Sequence, residues 1–468
     1  MWLAACTTPP PATVSTAAPA QWYGSSSATQ GEGAQLPHGG ALTDLSQWWR
    51  RHDDPLLVEL IDAAEAASSS LASAKSRIAQ AHALRVSSSV ALLPTLDASA
   101  SASRSSTQPG TPMGTIVSAG LQSSWEIDLF GGNRASRDAA QARLEGAQAS
   151  WHDARVSVAA EVANQYYSLR SCEKLLAIAR ADAASRAETL RITQINAKAG
   201  FQAPTVAAQA QASAAEGRSR EKQQNAQCDL NVKALVALTA MPEPALRTKL
   251  REHANALSKI ATVSISSLPA QTLTQRPDLF AAEREIAAAS AEVGNAQAQR
   301  YPRLSLAGSV GIARFSSGDT RLNLETWSIG PVALTLPLFD GGKRAANVDA
   351  ARARYEEAVS KYRSAVRQAV KEVEDALVTL QSIGARGDDA LVAVEGYRVL
   401  FAGTEARYNS GLASLIELEE VRRTRLAAET ALASLQGDRI AAWIALYRAA
   451  GGGWNSEQPG SATLPDRR

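Results

Sequence analysis

A tandem repeat is the feature that most constrains how this chain can fold. The segment 128–134, with the sequence DLFGGNR, returns about 210 residues later as LFDGGKR at 338–344. In each copy, alternating apolar and polar residues lead into the Gly-Gly pair, and a long alanine-rich helical pattern follows it. One supersecondary unit is used twice, with no sign of a catalytic centre. The repeat therefore favours an architectural role over catalysis.

Charge and composition narrow the class further. The 468 residues include 48 basic and 46 acidic ones, for a formal net charge of +2. A nucleic-acid binder should carry a dominant, clustered basic charge, so this balance argues against one. Aromatic residues make up only 5% of the chain, which suits long, closely packed helices better than a bulky core. No apolar run is long enough for a membrane-spanning helix.

Four runs have the period of two that is typical of strands. The first run begins at Thr95, the second covers 117–129, the third covers 304–312, and the fourth extends from about 326 to 339. Each run has roughly the length that a tilted strand needs to cross a bilayer core. Small barrels need about eight strands, so we expect several copies to cooperate, and three would supply about twelve. Soluble, half-buried hairpins would give the same alternation, which leaves that alternative open.

The rest of the chain is predicted to be helical. One helical stretch covers about 56–92, and two long heptad patterns cover about 134–199 and 343–409, the second with a possible interruption at 384–387. At 1.5 Å per residue, each long pattern would make a rod of roughly 100 Å. Each rod ends at a glycine turn and returns as a shorter helix, so we expect two antiparallel helical hairpins. The predicted turns are Gly131, Gly132, Gly341 and Gly342 from strand to helix, and Gly200 and Gly411 within the hairpins.

The N-terminus resembles the lipobox of bacterial lipoproteins. Leu3-Ala4-Ala5-Cys6 precedes a polar, proline-rich tract, and Cys6 is the residue that would be acylated. The basic and most of the apolar part of a signal peptide are missing, so we expect the natural start to lie upstream of Met1 or the sequence to be trimmed. An accidental cysteine in a disordered tail is the alternative. The predicted organisation is a flexible tether at 1–47, a first repeat at 48–240, a linker at 241–275, a second repeat at 276–454 and a disordered tail at 455–468.

Two cysteines are placed symmetrically about the first hairpin turn. Cys172 lies 28 residues before Gly200 and Cys228 lies 28 residues after it. In an antiparallel hairpin both thiols should reach the same height, and an oxidising compartment would join them. We expect a disulfide; two separately buried thiols are the alternative.

Several motifs, all in the same order, resemble those of the outer-membrane factors of tripartite efflux systems, of the TolC and OprM type and especially the NodT-like lipoproteins. The matching segments are 125–131, 276–279, 301–304, 336–342 and 451–454. The resemblance covers about 48–454. It implies a mainly helical chain with a β portion, and a trimer in which four strands per chain form a twelve-stranded β-barrel on an α-helical barrel.

The resemblance also implies a function and partners. The homotrimer would lie in the outer membrane, lipid-anchored at its periplasmic face, as a passive export duct. It would dock to a periplasmic adaptor fed by an inner-membrane pump, for which a proton-driven type is favoured over an ATP-driven one. A periplasmic adaptor without a pore is the rival interpretation, although adaptors normally have one helical hairpin. No enzyme activity, cofactor, metal or nucleic-acid partner is expected, and the exported substrates are not readable from the sequence.

A candidate gate follows the second hairpin turn. Ile416, Glu420 and Arg423 are spaced i, i+4, i+7 and therefore share one helix face. In the family that the chain resembles, matching positions supply an apolar bottleneck, a carboxylate ring, often of Asp, and a basic partner of the closed state. Three like charges around an axis repel one another and favour cation binding. The first half has Val206 and Gln209 at the corresponding positions, so only one hairpin would carry the charged face. A solvated surface charge run is the alternative.

Overall fold

A computed structural model describes residues 9–15, 19, 49, 54–106, 113–253 and 273–454. The predicted acylation of Cys6 and the predicted tail at 455–468 lie outside these residues. Among the described residues, the helices are α1 Pro55–Ala67, α2 Ser69–Val90, α3 Gly132–Lys198, α4 Pro204–Thr239, α5 Glu243–Glu252, α6 Pro277–Ala298, α7 Lys343–Asn409 and α8 Leu415–Ala449. The strands are β1 Thr95–Ser105, β2 Gly114–Ile127, β3 Arg303–Ser317 and β4 Thr320–Thr335.

The chain divides into two compact units. The first comprises Met1–Thr16, Ser73–Trp151 and Asp278–Ala365, and the second comprises Ala17–Ala72, His152–Pro277 and Val366–Arg468. Each unit combines segments from both halves of the sequence. These units are groups of residues that are close in space, whereas the predicted repeats are successive stretches of sequence. The division into two repeats therefore stays a prediction.

The four strands of the first unit form one antiparallel sheet in the order β1-β2-β3-β4. The central pair, β2 with β3, joins the hairpins of the two sequence halves, with Ile127 opposite Leu304 and Gly114 opposite Ser317. Only Gly318 and Asp319 connect β3 to β4. Our predicted start for the last strand, near 326, was therefore too late, since the tight turn lets pairing begin at Thr320.

The two faces of this sheet differ in polarity. Residues opposite each other on paired strands share a face, so Leu121, Val310 and Trp327 form one apolar row. Val310 is 56% exposed and Trp327 is 76% exposed. The other face is rich in serine, with side-chain hydrogen bonds between Ser101 and Ser118 at 2.9 Å and between Ser309 and Ser328 at 2.8 Å. The apolar side is thus not covered by the described parts of this chain, unlike a half-buried soluble hairpin.

Both strand-to-helix turns are closed by an aspartate. The Asp128 carboxylate accepts hydrogen bonds from the backbone N–H groups of Asn133 and Arg134, at 3.3 and 2.9 Å. The Asp340 carboxylate accepts from those of Gly342 and Arg344, at 3.0 and 3.1 Å. These groups begin α3 and α7, where free N–H groups and the helix dipole favour a negative charge. The aspartate precedes the Leu-Phe pair in one copy and follows it in the other, yet it performs the same capping role.

The hairpin turns at Gly200 and Gly411 have one geometry. The φ angles of these glycines are +80° and +75°, a region open to residues without a Cβ. The next residue reaches back five positions in both: Phe201 N–H donates to the Asn196 carbonyl at 2.9 Å, and Leu412 N–H donates to the Arg407 carbonyl at 2.8 Å. Such bonds end a helix by satisfying its last carbonyls. In the structure each of these glycines lies between two consecutive helices.

Two predictions about helix continuity were wrong. The stretch 56–92 is two helices, because Ser68 adopts an extended backbone with ψ at 120°. Its hydroxyl then accepts a hydrogen bond from the N–H of Leu71 at 3.3 Å and caps α2. Conversely, α7 runs unbroken through Gly384 and Gly387. A glycine costs a helix interior only about 1 kcal/mol, which packing on the flanking turns offsets.

A buried polar cluster holds the linker region of the second unit, where α5 was not predicted. Arg170 of α3 is buried and donates to the Leu250 and His253 carbonyls at the end of α5, at 3.1 and 2.9 Å. Arg170 also contacts Tyr166, whose hydroxyl donates to Asp54 at 2.7 Å. Burial raises the pKa of Tyr166 above its ordinary value, so this phenol stays a neutral donor.

The first helical hairpin is joined by a disulfide. Cys172 of α3 and Cys228 of α4 are bonded, with their Cα atoms 5.5 Å apart and a sequence separation of 56. Both are buried in a core with Tyr166 and Leu235. The bond ties the two helices at the height that their distances from Gly200 require.

We expect the double variant Cys172→Ala with Cys228→Ala to unfold more easily. Closing a loop of this length stabilises a chain by about 2–4 kcal/mol in the chain-entropy model. Denaturant unfolding of the purified protein measures the loss. As a control, alkylation of the denatured wild type should add two further adducts only after reduction; equal labelling without reductant would contradict the disulfide.

Candidate functional site: the ends of the helical hairpins

The start of α8 presents two different faces in the second unit. Ser414 caps the helix, and its hydroxyl accepts a hydrogen bond from the N–H of Glu417 at 3.1 Å. From there, successive residues turn by about 100°. Glu419 and Glu420 therefore point to different surroundings, and so do Arg422 and Arg423.

The predicted gate residues lie on the open face. Ile416 is 68% exposed, and Glu420 forms an exposed ion pair with Arg423 one turn later. All three line an open groove of about 760 Å³ between α4 and α8, with Gln209 on its other wall. The structure thus brings the three residues to one surface. Their role as a gate stays a prediction, because it depends on several chains around one axis.

The other face of α8 carries buried charge. Arg422 is fully buried, at 0% exposure, and forms an ion pair with Glu419. It also donates hydrogen bonds to two hydroxyl groups of α3, to Ser185 at 3.1 Å and to Thr189 at 2.9 Å. Burial lowers the pKa of the Arg422 guanidinium, and the Glu419 carboxylate opposes this shift. The contacts join the second hairpin to the first.

Arg186 of α3 makes the second connection. Its guanidinium donates to Glu419 at 2.5 Å, to Ser213 of α4 at 2.6 Å and to Asp182 at 2.8 Å. Ser213 in turn donates to Glu419 at 2.9 Å. Glu419 is therefore the acceptor that α3, α4 and α8 share. We call Asp182, Arg186, Ser213, Glu419 and Arg422 the inter-hairpin cluster.

The ends of the hairpins also share an apolar contact region. Thr193 and Tyr408 are hydrogen-bonded through their hydroxyl groups at 3.0 Å, beside a core that includes Phe401 and Leu418. The Arg425 guanidinium lies 3.7 Å from the centre of the Phe401 ring, a cation–π contact. These interactions pack α7 and α8 against α3 near both turns.

Two apolar side chains remain uncovered at the turns. Phe201 is 83% exposed and Leu412 is 71% exposed, and each directly follows the glycine of its turn. Phe201 and Leu412 thus occupy equivalent positions at the ends of the two hairpins.

Sequence reasoning found the exposed residues and missed the buried ones. The Asp182–Arg186 pair at i, i+4 and the Glu419–Arg422 pair at i, i+3 were available as a signal, since opposite charges at these spacings pair on a helix. No pattern in the sequence indicated that these faces of α3 and α8 pack against each other. The described residues contain no group of His, Cys, Asp and Glu placed to hold a metal ion. Within the same residues, no helix has the length and hydropathy to cross a bilayer.

Comparison with known proteins gives a consistent family match. The family described as "Outer membrane efflux protein" matches residues 60–241 and 268–452. The pyoverdine export outer membrane protein OpmQ of Pseudomonas putida is 30% identical, over 98% of this chain and 96% of its own length. Nodulation protein T of Rhizobium leguminosarum bv. trifolii is 27% identical over 90% of this chain and 92% of its own.

A solved structure agrees in fold. The MtrE outer membrane channel of Neisseria gonorrhoeae, in its open state, is similar with a TM-score of 0.77 and 26% sequence identity. The match covers 96% of this chain and 98% of MtrE. Similarity on this scale extends over both halves of the sequence.

Replacing Glu419 by Gln should destabilise the hairpins strongly. The change leaves Arg186 and Arg422 buried without their shared carboxylate, and breaking a buried pair costs about 3–5 kcal/mol. The matched control is Glu417→Gln on the same helix, whose exposed pair with Arg407 contributes about 0–1 kcal/mol. Denaturant unfolding of both variants tests this, and equal losses of stability would contradict it.

Proposed function

Because the chain belongs to the outer membrane efflux protein family, we infer that it is the outer-membrane channel of a tripartite export system. The channel itself would be passive, and its partners would supply the energy for export. The observation that carries this inference is the sheet of the first unit, with one serine-rich face and one exposed apolar face. This polarity suits a wall between water and lipid.

We propose that three copies complete this wall. Four strands are too few to close a sheet on itself, and three chains would supply twelve. Among the described residues, no strand pairs with the outer edge of β1 or of β4. An open edge exposes unpaired N–H and C=O groups, and β4 of one copy can satisfy them by pairing with β1 of the next.

The partners are assigned at the level of their class. A periplasmic adaptor would meet the hairpin ends, where Phe201 and Leu412 offer equivalent exposed apolar contacts. An inner-membrane pump, which we expect to be proton-driven, would load the duct through that adaptor. Acylation of Cys6 would add a lipid anchor at the periplasmic face of the outer membrane.

The gate is proposed to lie at the groove face of α8. Three copies of Glu420 around one axis would repel one another and attract cations, while each Arg423 would hold its carboxylate in the closed state. The inter-hairpin cluster ties α8 to α3 and α4. An opening movement of α8 would therefore have to carry these helices with it or break the Glu419 contacts.

The sheet assignment is tested by placing a charge on each face in turn. Val310→Arg should prevent assembly, because an arginine on the lipid side near mid-membrane costs about 2–4 kcal/mol per chain. Ser309→Arg, the neighbour on the serine-rich face, is the control and should be tolerated. The readout is heat-resistant trimer extracted from outer membranes. Equal trimer yields from the two variants would overturn the proposed orientation.

The gate is tested by conductance across a planar bilayer. Pairing of Glu420 with Arg423 between copies is what would hold the ring closed, so Glu420→Ala removes about 0.5 kcal/mol per chain from the closed state, and three chains together should raise the open probability roughly tenfold. Glu188→Ala is the control, since it removes an equivalent exposed pair with Arg191 away from the groove. A variant trace as closed as the wild type would remove Glu420 from the gate.

A further inference from the structure

Three arginines lie together on the apolar side of the sheet, at the end farthest from the helices that enter and leave it. The strand register places Arg104 opposite Thr115, Thr115 opposite Ser316, and Ser316 opposite Arg321. These four residues form one row across the sheet and share a face. Two-residue steps along β3 and β4 show that it is the face of Val310 and Trp327.

The third arginine is in the next row. Arg314 lies opposite Val117 and Asn323, and its Nε donates a hydrogen bond to the Asn323 side-chain oxygen at 3.0 Å. All three arginines are exposed, and within the described residues none of them forms an ion pair with a carboxylate. Glu325 lies on the same face in the next row, opposite Ile312, so the three arginines and this carboxylate together carry a net charge of +2. We call Arg104, Arg314 and Arg321 the arginine band.

The depth of this band can be estimated from the strand geometry. On β3 the apolar side runs from Leu304 to Ile312, which is about 27 Å along the strand at roughly 3.4 Å per residue. A strand tilt of about 40° reduces this to about 20 Å along the membrane normal, close to the roughly 25 Å of a membrane-embedded apolar band. Arg314 is the next outward-facing residue. It would lie at the level of the lipid head groups.

The opposite face shows that the positive charge is not a general property of this end of the sheet. On this serine-rich face, which is the inner face in the proposed barrel, Ile116 lies opposite Phe315 and Phe315 lies opposite Leu322. The row at this end of the inner face is therefore apolar. A Cβ added to Gly114 would lie 2.8 Å from the Phe315 ring, which covers this part of the inner face. At this end of the sheet, the arginines of the described strands lie on the apolar side.

We propose that the arginine band binds the phosphate groups of the phosphorylated glycolipid of the outer leaflet. Guanidinium groups bind phosphate oxygens in pairs of parallel hydrogen bonds. Arg314 and Arg321 lie on neighbouring strands with Cα atoms about 8 Å apart, and Arg104 is about 14 Å from Arg321 across the sheet. Three separated cations fit a head group with more than one phosphate. The inference rests on the proposed function, which places this end of the sheet at the outer leaflet.

Native mass spectrometry of the detergent-purified trimer can test the proposal. The probes are diphosphoryl lipid A and the same lipid without its phosphates. The triple variant Arg104→Gln, Arg314→Gln, Arg321→Gln should bind diphosphoryl lipid A roughly a hundredfold more weakly than the wild type, since each cation near an anionic surface contributes several-fold. Without the phosphates, both proteins should bind equally weakly. Arg303→Gln, which changes an exposed arginine on the opposite face of β3, should bind as the wild type does.

Three results would overturn the proposal. They are unchanged binding of diphosphoryl lipid A by the triple variant, equal binding of both probes by the wild type, and equal binding of phosphatidylglycerol, which has a single phosphate. Trimer yield and planar-bilayer conductance of the triple variant should stay at the wild-type level. A wild-type protein that binds the phosphorylated probe but is not recovered from the outer-membrane fraction would contradict the proposed function and not the lipid site.

Discussion

The backbone hydrogen bonds at the edges of the sheet are the constraint on which the proposed assembly depends. In hydrocarbon, each unpaired N–H or C=O group costs several kcal/mol, because no water replaces the missing partner. The described part of one chain has four strands, and the outer edges of β1 and β4 have no partner among them. Contact between the exposed apolar face and water is unfavourable as well. In the proposed assembly, identical chains pair the strand edges and lipid covers the apolar face.

The helical part depends on a different kind of interaction. Long alanine-rich helices bury little apolar surface per residue, and in the second unit buried charge adds specificity to their contacts. Glu419 accepts from Arg186 and Ser213 and pairs with Arg422, so one carboxylate fixes how three helices meet. Buried ion pairs contribute little net stability compared with apolar packing, but losing one partner is costly. The cluster therefore favours one relative position of the hairpins.

Much of the fold was predictable because its signals are local. The glycine turns follow from a backbone conformation that other residues adopt reluctantly, and the alternation of β2 and β3 follows from the pleat. The failures were also physical. Ser68 breaks a helix that periodicity would continue, whereas Gly384 fails to break α7. In both cases packing and capping around the residue, rather than its propensity, determined the outcome.

The sequence by itself indicated the duplication, the glycine turns of the two helical hairpins and the family of the chain, since these depend on residue type and spacing along the chain. Tertiary structure alone decided which charges are buried. Glu419 and Glu420 are neighbours with the same chemistry, and only the packing of α3 and α4 against one side of α8 separates a side chain that is 16% exposed from one that is 61% exposed. In the same way, Arg104 and Arg321 lie far apart in sequence and meet in one row only through strand register. Contacts between distant segments depend on how helix faces and strands are paired, and no local pattern specifies that pairing.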